Sequence, residues 1–189
     1  MSASLRIPSL IAGISLLLMA ILSPLGLLLA LPRGQFEIAA MTVLVVSALD
    51  VIAAVALFYL FRGSEPIFAA IAAALRIAYG AVFVAAAGFL MAPVDEARFH
   101  AFWELGLFFI GLHLVFVGFA VLRTIPKWIG VLVVVSGIGY TLDAVSQVLR
   151  PENPLALTEF AFVGEVILLV WCLGWGGRDR ADQHRLAEA

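Results

Sequence analysis

Apolar residues run along this chain in long unbroken blocks, and short clusters of proline, glycine and charge separate one block from the next. The pattern predicts six helices, over residues 9–31, 38–61, 67–92, 102–122, 128–149 and 156–176. Each block is long enough to cross a hydrocarbon core, which takes about 20 residues of helix. Strands of a membrane barrel would instead show stretches of ~10 residues alternating in polarity, and the blocks do not alternate. Pro32, Pro66, Pro93, Pro126, Pro151 and Pro154 fall in the connections, where a missing N–H costs little. Pro24 lies inside the first block and is expected to kink it.

Composition turns this pattern into a class. The chain of 189 residues is 64% hydrophobic and 13% charged, with a mean hydropathy of +1.13. Soluble domains carry about 25% charged residues, so the fold class is an all-α polytopic membrane protein with six transmembrane helices. One transmembrane domain covers 1–176, and 177–189 is a short charged tail. The first block exceeds the ~7–15 residue core of a secretory signal, so it reads as a retained span.

Lysine and arginine set the expected orientation. Arg6, Arg62, Arg123, Lys127, Arg178, Arg180 and Arg185 fall on one side, against Arg33, Arg98 and Arg150 on the other. Basic flanks stay in the cytoplasm, which puts both termini there, in a bacterial inner membrane. A net charge of -2 implies no nucleic-acid partner, and the lipid bilayer is the expected surrounding. Cys172, the sole cysteine, excludes an intramolecular disulfide and a CxxC metal site.

Five ionisable residues interrupt five of the blocks: Asp50, Arg76, His113, Asp143 and Glu165. A central Asp or Arg facing lipid costs about 2.5–3.5 kcal/mol, so these side chains are expected to converge inside the bundle. Counting outward from the connections puts Asp50 level with Arg76, as a structural ion pair, and Asp143 level with Glu165. His113 lies near the midplane, within reach of both pairs. Ser136, Tyr140, Asp143 and Gln147 recur at intervals of four, three and four and share one helix face, a wet cleft or a hydrogen-bonded seam. His113, Tyr140, Asp143 and Glu165 are the candidate ligand or ion pocket. Two close carboxylates in low dielectric cannot both stay ionised cheaply, so one is expected to hold a proton or a cation. Gly111 with Gly118, and Gly130 with Gly137, share helix faces and predict close packing.

Named chemistries find little support. Lys127, the only lysine, sits at a helix edge, away from any retinal-type Schiff base in the interior. His113 has no partner at matching depth for haem. A zinc site would want three or four ligands from a histidine-poor set. No HExxH, GxSxG or phosphate-binding glycine loop occurs. No cofactor and no metal are predicted, and catalysis is not favoured.

Three strings carry a resemblance: LRIAYGAVF (75–83), GLHLVFVGFAVLRTIPKWIGVLVVVSGIGYTLDA (111–144) and EFAFVGEVILLVW (159–171). GxGYxxD and FxGE at this spacing are specific in combination. The chain resembles a bacterial family of integral membrane proteins known only as domain of unknown function 4386, over most of its length and most strongly from the third span onward. The resemblance implies that Arg76, Tyr79, His113, Pro126, Tyr140, Asp143 and Glu165 coincide with recurring family positions. It implies a membrane fold and lends no activity. The expected role is binding or translocation of a proton, a cation or a small amphiphile. The alternatives are an enzyme acting on a lipid or quinone within the membrane, and an accessory subunit whose polar cluster is only glue. A bundle this small also suggests a homodimer or a larger membrane complex.

Overall fold

The structure, a computed structural model, describes residues 5–178. The predicted tail therefore lies, from residue 179 onward, outside the described residues. Six helices make up the fold: α1 (Arg6–Pro24), α2 (Phe36–Phe61), α3 (Pro66–Gly88), α4 (Glu96–Val121), α5 (Lys127–Leu149) and α6 (Thr158–Gly174). No strand occurs among the described residues. Beyond Pro24 the first helix continues as a wider π-helical turn, Leu25–Ala30, and a short tight turn, Leu31–Arg33. Pro24 has no N–H for the α-helical ladder, and the chain adjusts its hydrogen bonding just after it.

Five of the six are long and apolar enough to cross a membrane. The exception is α6, whose 17 residues rise only about 26 Å. The surface bears this class out. Leu28, Ile67 and Leu149 are each more than 70% exposed, whereas Asp50, Arg76 and His113 are at 3% or less. Apolar outside and ionisable inside is the arrangement a lipid solvent selects. The chain is an all-α, multi-pass membrane protein.

Each helix packs against its neighbours in sequence, and α1 returns to pack on α6, closing the six into a ring. Glycine sets the closest of these contacts. A Cβ on Gly111 would stand 2.7 Å from the Thr141 backbone nitrogen and 2.8 Å from the Gly137 carbonyl oxygen. One on Gly118 would meet the Gly130 carbonyl at 2.9 Å. Only bare backbone lets α4 and α5 come this near. Hydrogen bonds tie α1 to α6 at one end. Arg6 donates from its guanidinium to the carbonyls of Leu173 at 2.6 Å and Gly176 at 3.0 Å, and Ser9 donates to that of Cys172 at 2.8 Å. The bonds to Cys172 and Leu173 satisfy carbonyls in the last turn of α6, which the helix itself leaves open, and the bond to Gly176 holds the segment just beyond it.

The connections sort to two ends. Arg123 pairs with Glu65 at 2.8 Å, tying the α4–α5 turn to the α2–α3 turn. At the other end Asp95 caps α4 by accepting from the Arg98 N–H at 3.0 Å. The α5–α6 connection departs from expectation. It folds back along α5, so that the Leu157 N–H donates to Asp143 Oδ1 at 2.9 Å and the Leu155 N–H to Ser146 Oγ at 2.8 Å. Unwound backbone packed along a membrane helix is stabilised by such partners, because acyl chains offer none.

Candidate functional site

Arg76, on α3, is the hub of the interior. Its Nη2 lies 2.7 Å from Asp50 Oδ1 on α2, and its Nη1 lies 3.0 Å from His113 Nε2 on α4. The same Nη1 stands 3.8 Å from Glu165 Oε1 on α6, beyond hydrogen-bond range. His113 Nδ1 is 2.8 Å from the Ala72 carbonyl oxygen. A carbonyl only accepts and a guanidinium only donates. His113 is therefore the neutral tautomer with its proton on Nδ1, donating to Ala72 and accepting from Arg76.

At this centre Asp50 Oδ2 and Arg76 Nε have no hydrogen-bond partner among the described residues, and Asp50 Oδ1 has only its ion pair with Arg76. Glu165 is held more loosely than the rest. The Tyr140 hydroxyl approaches its Oε2 at 3.4 Å, and the side chain keeps 24% exposure where Asp50 keeps 1%.

That exposure opens on a cavity of about 500 Å³. Asp50, Arg76, Tyr79, Tyr140 and Glu165 form its polar wall, beside Trp103. Leu16, Met19, Val46, Leu107, Ile110 and Leu169 form an apolar one. The cavity occupies the half of the ring that carries the α1–α2, α3–α4 and α5–α6 connections. Ala20 and Pro24 on α1, with Phe162 and Val166 on α6, also line it while lying exposed on the outer surface. Its mouth is therefore lateral, between α1 and α6, at the end away from the Arg6 and Ser9 clamp.

The predicted set is thus divided. Asp50 and Arg76 meet, as the count from the tight 62–65 turn anticipates. Tyr140 and Glu165 meet at the cavity wall. His113 stands behind Arg76, fully buried, and does not line the cavity. Asp143 is the clear departure, because it is not level with Glu165. Its depth on α5 matches Leu157, which lies eight residues, or roughly 12 Å of helix, before Glu165. Asp143 and Ser146 serve the folded-back connection instead. The stripe on α5 is accordingly a seam against α6 for Ser136, whose Oγ accepts from the Gly164 N–H at 3.0 Å, and for Asp143. Sequence reasoning did not single out Trp103 or Met19. Trp103 lies near the start of α4, and only the tertiary fold turns it inward, in a stack with Phe83 at 4.0 Å that continues to Tyr79 at 4.1 Å.

Comparison with known proteins bears on the last three helices most directly. The family profile described as "Domain of unknown function (DUF4386)" matches residues 95–176. An uncharacterised protein of Archaeoglobus fulgidus is 32% identical over 125 residues, covering 65% of this chain and 74% of the relative. The chain belongs to the DUF4386 family. The segment matched to DUF4386 spans α4 to α6 and contains His113, Tyr140, Asp143 and Glu165, while Asp50 and Arg76 lie before it. No solved structure matches the chain.

Proposed function

We propose that this DUF4386 protein binds a small amphiphile, taken sideways from the bilayer into the cavity between α1 and α6. The observation that carries the reading is the lateral mouth, bounded by Ala20, Phe162 and Val166, leading to the Glu165 carboxyl. A site for a water-soluble ligand would open toward one end of the ring. This one faces the acyl chains, and it joins a large apolar wall to a compact polar one, as ligand pockets do. Binding is favoured over passage across the membrane. The opposite half of the ring is filled by Leu57, Leu60, Phe61, Val121, Ile129 and Leu168, all buried in one cluster, so the cavity has a floor. In this reading the protein sits in the bacterial inner membrane with both termini cytoplasmic, so the pocket lies in the outer half of the bilayer.

The test uses Trp103, which lines the cavity. Changing Trp128, Trp171 and Trp175 to Phe leaves it the sole tryptophan of the four. In lipid nanodiscs, 10-bromodecanol is expected to quench Trp103 saturably. Ala20→Phe with Val166→Phe, placed to fill the mouth, is expected to abolish the saturable component. Quenching that rises linearly with probe and ignores the blocked mouth would refute the pocket.

A further inference from the structure

We infer that the amphiphile this pocket takes carries a cationic head group, an alkyl ammonium seated on Glu165. The inference rests on the lateral-pocket reading and adds the chemistry of the ligand. Charge decides it first. Asp50 and Glu165 bring two negative charges and Arg76 one positive, while His113, donating from Nδ1 to the Ala72 carbonyl, is neutral. With both carboxyls ionised the cluster is one positive charge short, and a monocation closes that gap. A buried cluster with unbalanced charge is costly, so a proton or a cation closes the gap, and an amphiphile with an ammonium head brings the cation to the exposed carboxyl.

Geometry decides which group receives it. Asp50 and Arg76 are locked together at 2.7 Å and nearly sealed. Glu165 is the accessible member, with its nearest charged and hydroxyl neighbours at 3.8 and 3.4 Å, both long for strong bonds. Its carboxylate keeps acceptor capacity toward the cavity. Tyr79, Trp103 and Tyr140 line the same wall, and aromatic faces attract ammonium groups where water is scarce. An anionic head group finds the reverse. The guanidinium of Arg76 already faces Asp50 and His113 at 2.7 and 3.0 Å, and its side chain is 3% exposed. A carboxylate or phosphate entering the mouth would meet Glu165 before it met Arg76.

Three probes of equal chain length separate the cases in the protein whose sole tryptophan is Trp103: 10-bromodecylammonium, 10-bromodecanol and 10-bromodecanoate, each expressed per mole fraction in the bilayer. The ammonium is expected to quench with about tenfold higher affinity than the alcohol, and the carboxylate to bind weakest. Glu165→Gln is expected to bring the ammonium to within about twofold of the alcohol, both measured in that variant. The head-group ranking needs no change at the cluster, so it tests the inference even if Glu165→Gln folds poorly. An ammonium no tighter than the alcohol, or an advantage that survives Glu165→Gln, overturns the cationic assignment while leaving the pocket standing. Saturable quenching by none of the three overturns the pocket itself, and the assignment with it.

Discussion

Removing the Arg76 side chain strands others. It is 3% exposed and supplies the only positive charge within salt-bridge range of the equally buried Asp50 among the described residues. Arg76→Met leaves a carboxylate in an apolar interior, and breaking a buried pair from one side costs about 3–5 kcal/mol. Thermal unfolding in detergent is expected to show a large loss for Arg76→Met. Adding Asp50→Asn should return much of it, because the double variant buries no uncompensated charge. Equal losses in the single and double variants would mean that Arg76 acts by packing alone. The same asymmetry made this pair readable from sequence. Lipid penalises each residue separately, and antiparallel neighbours joined by a short turn have few ways to place two central charges apart. His113 was readable as interior and not as a second partner of Arg76, because its tautomer is chosen by a backbone carbonyl, that of Ala72.

At the scale of helices, the α4–α5 contact depends on the absence of side chains. Gly111→Ala would put a methyl 2.7 Å from the Thr141 nitrogen, against backbone that cannot yield locally. The expected outcome is a loss of about 1–3 kcal/mol, the usual cost of overpacking. Gly88→Ala is the control, since a Cβ there meets nothing within 4 Å. It should be neutral, or stabilising by up to about 1 kcal/mol through helix propensity. A matched response at the two positions, read as shifts in unfolding temperature, would show that the glycines do not set the approach. The glycine faces, like the six helices, follow from spacing and were legible. The depth of α6 was not. Counting from a connection works when the connection is tight, as at 62–65, and fails when the chain doubles back, as it does from 150 to 157. Nothing in the string of letters distinguishes a loop that stays at the surface from one whose amides are received by Asp143 and Ser146.

For the whole molecule the open quantity is orientation, and it decides which leaflet supplies the pocket. The ring places Arg62, Arg123 and Lys127 at one end and the cavity toward the other, where Arg33, Arg98 and Arg150 lie. Exposed Trp128 and Trp175 mark the interface at the first end. In the proposed orientation, which follows the positive-inside bias, that end is cytoplasmic and the lateral mouth draws on the outer leaflet. Cys172 is 0% exposed, which keeps the native thiol out of reach of a polar maleimide and leaves a clean background. Exposed Gly63, in the α2–α3 turn, and exposed Glu152, in the α5–α6 connection, lie at opposite ends. In intact cells a membrane-impermeant maleimide is expected to label Glu152→Cys at once and Gly63→Cys only after permeabilisation. The reverse order would turn the molecule over, and an amphiphile would then have to reach Glu165 from the cytoplasmic leaflet. The two results also set different supplies of ligand, since an alkyl ammonium arriving from outside meets the mouth without first crossing the bilayer.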